Sequence, residues 1–245
     1  RSLVGSEMCI RDSVNALKLV ATEDRRKSNE WFFKTNKGEY GYGDIFLGVR
    51  VPDIRKVAKK FSSKIALKEL TELIQSPIHE VRLCGLIILV NQYKKGNFSK
   101  IFEYYIVQIN FINNWDLVDS SAPYIVGDYL YNNPDERSIL FEFVHSENLW
   151  VRRISIVSTF TLIKNNQFNE TLQIAKILLN DKHDLIHKAV GWMLREVYKR
   201  DQDLIRTFLK QNYSQLPRTT LRYAIERMDE VERLLYLKGY FPEFQ

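Results

Sequence analysis

An all-α solenoid of stacked helical pairs is the fold that the sequence predicts, and three observations carry that expectation. Val81, Asp116, Val151, Ile186 and Leu221 follow one another at intervals of 35 residues, and a fixed period of this length marks arrays of helix pairs. Four of the anchors open similar text: Val81-Arg82, Val151-Arg152, Ile186-His187 and Leu221-Arg222. The remaining copy reads Trp115-Asp116-Leu117-Val118-Asp119. No stretch alternates apolar and polar residues for long enough to argue for a sheet.

Taken in order, the segments support this reading. Residues 1–13, RSLVGSEMCIRDS, follow no helical period and stop abruptly before Val14-Asn15-Ala16-Leu17. They lack the long apolar core of a signal peptide and read as a non-native leader or a disordered segment, so one folded domain is expected over 14–245. Lys34 to Asp44 places Gly38, Gly41 and Gly43 close together, the mark of a mobile loop. No strand precedes it and no Gly-Lys-Ser/Thr follows, which argues against a nucleotide-binding loop. Pro52-Asp53 opens a helix whose apolar face is Ile54, Val57, Ala58 and Phe61, with proline suited to the first turn. Ile101, Phe102, Tyr105, Ile106 and Ile109 repeat the spacing. Pro134-Asp135-Glu136 opens another run, Ile139, Leu140, Phe143 and Val144, its acids favouring a helix N-terminus. Polar breaks at Lys95-Gly96-Asn97, Asn132-Asn133, Lys164 to Gln167 and Asn180-Asp181 have the length of helix–helix connections. The expectation is a HEAT-like α-α superhelix of roughly five to six helical pairs.

Composition narrows the partners. The 245 residues are 45% hydrophobic, enough for a substantial core, and carry a net charge of +6 with a pI of about 9.1. A basic balance suits a polyanion, and a concave basic groove is expected. Cys9 and Cys84 form no disulfide framework and no metal cluster, which fits a reducing interior. No apolar run of about eighteen residues exists to cross a bilayer.

The repeat acts as an internal control on candidate residues. Three places after the anchor stand Cys84, Ile154, Ala189 and Ala224, but the second copy has Asp119. A carboxylate in a packing slot costs stability unless it has a partner or a task. Asp116, one turn earlier, reads as an acid capping the helix or complementing its dipole. Arg152 shares the register of Arg82 and Arg222 and reads as a structural pairing residue. Arg153 is the freer of the two arginines and a candidate phosphate ligand. Trp115 and Trp150 share the slot before the anchor, which suggests packing, and Trp192 falls where the other copies have apolar core residues. His183 and His187 lack a third metal ligand, and His187 sits in the arginine register, so a surface or inter-repeat role is expected.

Four passages together resemble the AlkD-like DNA alkylation repair enzymes, DNA glycosylases built from HEAT-like repeats. They are Phe46 to Arg55, Asn114-Trp115-Asp116-Leu117-Val118-Asp119, Trp150-Val151-Arg152-Arg153, and His187 to Glu196. The likeness runs from about Val14 onwards. It implies that Asp119 is the catalytic carboxylate and Arg153 the residue that grips the DNA backbone. It also implies that Trp115 and Trp192 flank the substrate, against the packing role that the repeat alone assigns to Trp192. Many relatives have two tryptophans before the first Asp, and Asn114 takes the earlier place here.

The implied activity is excision of positively charged alkylated purines, such as 7-methylguanine and 3-methyladenine, by hydrolysis of the N-glycosidic bond in base excision repair. The implied partner is double-stranded DNA carrying alkylated bases. No cofactor is expected, and a monomer in the bacterial cytoplasm, associated with the nucleoid, fits the resemblance. A non-catalytic HEAT-like DNA-binding protein and a protein-interaction scaffold are the alternatives. Neither explains Asp119, since a carboxylate repels phosphate.

Overall fold

A computed structural model describes residues 3–241, with side chains from Met8 onwards. The described chain is helical throughout. Its only strand-like feature among those residues is an isolated parallel bridge between Ile45 and Ile78. The residues fall into two compact units, Arg1–Ser121 and Ala122–Gln245.

The first unit holds α1 (Leu3–Leu19), α2 (Glu23–Phe32), α3 (Val51–Phe61), α4 (Leu70–Ile74), α5 (His79–Tyr93), α6 (Phe98–Val107) and α7 (Trp115–Ala122), the last ending at the boundary. Helix α5 is the centre, buried from His79 through Val90. A helix apolar on every side must lie inside, and α3 and α4 pack against it. Helix α1 begins ahead of Val14, where the period becomes legible; Ile10, Ser13 and Leu17 share one buried face. Pro52 lies in the first turn of α3, as its fixed φ favours. Lys34 to Asp44 forms turns, with Gly38 and Gly43 at positive φ.

The second unit holds a π-helical turn (Pro123–Gly127), α8 (Asp128–Asn132), α9 (Ser138–Phe143), α10 (Leu149–Lys164), α11 (Asn169–Leu178), α12 (Asp184–Tyr198), α13 (Gln202–Asn212), α14 (Arg218–Ala224) and α15 (Glu230–Lys238). Helix α10 is its counterpart to α5, buried along most of its length and packed on α9, α11, α12 and the π turn. Gly127 permits that last contact, because a Cβ there would sit 2.2 Å from the Ser158 carbonyl oxygen of α10. Pro134-Asp135-Glu136 forms a 3-10 turn ahead of α9 rather than the first turn of an α-helix.

The 35-residue period recurs as hydrogen bonds. Arg82 donates to the Ser76 carbonyl (2.8 Å), Arg152 donates to the Ser146 carbonyl (2.9 Å), and His187 Nε2 lies 2.6 Å from the Asp181 carbonyl. Each spans six residues back from the position after the anchor. The side chains of Ser76, Ser146 and Asp181 accept the backbone N–H two residues on, from Ile78, Asn148 and His183. One local chemistry starts α5, α10 and α12, because each copy must satisfy the same orphan groups at a helix entrance.

Candidate active site

The first two turns of α7 carry three of the residues singled out by sequence, and Asn114 precedes them. The Asn114 side chain is fully buried; its Oδ1 accepts the Trp115 N–H at 2.8 Å and its Nδ2 donates to Asp44 Oδ2 at 3.1 Å. Asp116 caps as expected, with Oδ1 accepting the Leu117 N–H at 2.8 Å. Its other oxygen has a partner that sequence did not suggest, His79 Nε2 at 2.8 Å. The far side of that ring, Nδ1, lies 3.4 Å from Asp44 Oδ2, and Asp44 Oδ1 accepts from Arg82 Nη2 at 2.6 Å. Two carboxylates and two cations thus alternate in a chain, all four side chains nearly excluded from water.

Burial acts against charge on His79, but the Asp116 carboxylate, followed by Asp44, outweighs both that cost and the repulsion from Arg82, leaving the imidazolium with a pKa of about 9. Burial likewise opposes the charge on Asp44, yet the hydrogen bond from His79 and the field of Arg82 hold its carboxyl below the usual value. With both ring nitrogens facing carboxylates, the doubly protonated ring is the form that satisfies both. Isolated charges this deep would be costly, whereas an alternating set offsets its own desolvation.

His79 also reaches the candidate aromatic residue through packing. Its ring lies 4.7 Å from Phe33 and 4.7 Å from Phe46, centroid to centroid. Phe33 in turn stacks on Trp115 at 5.4 Å with the planes 18° apart, and Phe32 meets the same indole edge-on at 5.9 Å. Trp115 is half-buried, so the packing role read from its register leaves part of the indole open to solvent.

Asp119 follows Asp116 by one turn. Its counterparts Cys84, Ile154, Ala189 and Ala224 are completely buried, whereas Asp119 is half-buried. Its charge is felt inside: burial raises the pKa of the Tyr105 phenol, the Ser121 hydroxyl opposes, and Asp119 adds to the rise. Four residues on, Pro123 has no N–H to offer the Asp119 carbonyl, and the chain passes into the π turn, the local disruption expected where that donor is missing.

Arg153 and Trp192 belong to the second unit, on the adjacent helices α10 and α12. Arg152 behaves as expected: Nε donates to Asp181 Oδ2 at 2.6 Å, and Nη1 caps the Ser146 and Glu147 carbonyls. Arg153, expected to be the freer, is the more buried, at 5% exposure, with Nη1 donating to the Leu185 carbonyl at 2.6 Å. The physical reason lies in α12, whose first turn brings that carbonyl over the guanidinium. The same helix carries Trp192, which is half-buried with its ring 5.8 Å from Phe160. Trp150 is buried, in keeping with the packing role of its slot. His183 caps α12 by accepting the Leu185 N–H, and His187 is engaged by the Asp181 carbonyl, so each has a local structural task.

The residues that sequence reasoning missed are Asp44, His79 and the buried role of Asn114. Their signal was present, since Asp44, His79 and Asn114 stand 35 residues apart, His79 and Asn114 two places before the anchors Val81 and Asp116. The same slot further along holds Asp184 and Thr219, which also bond each other at 2.8 Å.

Comparison with known proteins adds the family. The profile described as DNA alkylation repair enzyme matches residues 14–228. A solved structure titled "Predicted DNA alkylation repair enzyme from Enterococcus faecalis" is similar with a TM-score of 0.68, covering 86% of this chain and 97% of that one. At 17% identity the likeness is one of fold. No curated protein sequence matches significantly. On the strength of a profile match over most of its length, the chain belongs to the DNA alkylation repair enzyme family.

Proposed function

We propose that the protein is a monofunctional DNA glycosylase that removes positively charged alkylated purines from double-stranded DNA, with Asp119 as its catalytic carboxylate. The observation that carries the reading is Asp119 itself, a half-buried acid in a slot that four other repeats fill with fully buried small or apolar side chains. In a basic protein of an alkylation repair family, a carboxylate so placed is suited to meet positive charge.

The chemistry follows. Alkylation at N3 or N7 makes the purine a cation, so it leaves as a neutral base and needs little help from a general acid. The deoxyribose left behind gains oxocarbenium character, which Asp119 stabilises while orienting the attacking water. That water adds to the anomeric carbon and loses its proton, leaving an abasic site and the free base. Trp115, steadied from behind by Phe33, and Trp192 would pack against the sugar and its developing charge. Exposed basic side chains would take phosphates, which makes binding salt-dependent. Among the described residues no helix is long and apolar enough to cross a membrane.

The test is base release from methylated duplex DNA by the parent and by Asp119→Asn, which keeps shape and removes charge. Excision of 7-methylguanine should fall by about 100-fold or more while DNA binding persists. Uncharged 1,N6-ethenoadenine and uracil should not be released, because they lack the built-in leaving-group charge. Parental rates in Asp119→Asn, or efficient release of a neutral base, refute the proposal.

A further inference from the structure

We propose that His79 is a positioning residue for the reaction at Asp119, holding the entrance of α7 and the Trp115 ring in register through two independent contacts. This rests on the glycosylase reading and extends it to a residue that no part of that reading invokes. The first contact is the 2.8 Å bond from Nε2 to Asp116, which lies one helical turn before Asp119. The second is aromatic: the His79 ring packs on Phe33, and Phe33 stacks on Trp115. One imidazole therefore supports both the carboxylate-bearing helix and the indole beside it.

Ordinary core packing does not explain the choice of residue. Cutting off this ring would remove two ion pairs and two aromatic contacts at once. A leucine in its place would fill the volume but leave Asp116 and Asp44 as neighbouring buried acids without their shared cation. The groups that face the ring are few: Asp116 and Asp44 as acids, Arg82 as the opposing cation, and Phe33 and Phe46 on its faces. Asn114 completes the clamp, tying Asp44 to the first N–H of α7. His79 itself is 1% exposed, so it acts through these neighbours. A misplaced catalytic group costs rate far more than affinity, because charge stabilisation is realised only in the transition state.

The experiment measures single-turnover release of 7-methylguanine and, separately, the Kd for the same methylated duplex. His79→Ala, His79→Gln and Asp44→Asn are each compared with the parent at a temperature where circular dichroism shows them folded. Expected is a loss of rate in His79→Ala of about 10- to 100-fold with Kd changed less than about threefold. His79→Gln, which can still donate to Asp116, should recover part of that rate. If His79→Ala does not fold, the glutamine and Asp44→Asn variants are read by the same split, and a rate within twofold of the parent in both overturns the inference. Equal losses in rate and affinity assign His79 a general structural role and overturn it as well. A parent that releases no methylated base overturns the glycosylase reading and this inference with it. Parental release that depends on Asp119 but is indifferent to every His79 variant overturns the inference alone.

Discussion

Raising the pH is a clean way to dismantle the buried chain of charges around His79. In the unfolded protein this histidine has its ordinary pKa of 6.5, while in the fold the carboxylates of Asp116 and Asp44 hold it at about 9. The sign follows from linkage. Between these values the folded protein keeps a proton that the unfolded chain has lost, so stability falls as pH rises, by about 1.4 kcal/mol per pH unit. The contribution is complete below pH 6.5 and gone above the folded value, amounting to about 3 kcal/mol in all. Asp44 does not confuse the window, since its lowered pKa places its own transition far to the acid side. His183, whose pKa burial depresses, also titrates below it. Urea unfolding at half-unit steps from pH 6 to 9.5, on the parent and on His79→Gln, isolates the effect. The parent should lose a large part of its stability across the window and the glutamine variant should lose much less. Parallel curves for the two proteins would show that the ring carries no extra proton in the fold, and the electrostatic account of α7 would fall with them.

Two further outcomes are expected from packing in the second unit. Gly127→Ala forces a Cβ against the Ser158 carbonyl oxygen at 2.2 Å, and the required shift of backbone should cost about 1–3 kcal/mol, read as a lowered Tm; an unchanged Tm would mean that α10 and the π turn can part without penalty. Arg152→Ala removes the partner of a nearly buried Asp181 and a donor to two carbonyls. It should lower stability by about 1–3 kcal/mol while leaving DNA affinity as in the parent, whereas weakened DNA binding with normal melting would show that this arginine faces the nucleic acid.

Much was legible in the sequence because a repeat compares the chain with itself. The period of 35 residues predicted helices, their breaks and one shared register for Arg82, Arg152 and His187, and in the structure all three reach a carbonyl six residues back. The same comparison singled out Asp119 because its counterparts are small or apolar, and they are fully buried. Local rules also sufficed for the caps, since Pro52 at the start of α3 and Asp116 at the start of α7 act on neighbours a few residues away.

What periodicity could not settle is which polar side chains meet across helices. Arg153 read as the freer arginine along the sequence, yet its Nη1 donates to a carbonyl 32 residues on, at Leu185. Asp44 looked like part of a plain glycine-rich loop, yet it closes a circuit with His79, Arg82 and Asn114 from other segments. Glu80 shows the same limit, accepting the N–H groups of Leu47, Gly48 and Val49 from a loop more than thirty residues away. Helix identity and register were the sequence's own to determine, because they follow from spacing along one strand of backbone and from apolar burial that has no direction. Hydrogen bonds and ion pairs need two groups within about 3 Å at the right angle, and only the folded arrangement of α5, α7, α10 and α12 decides which groups those are.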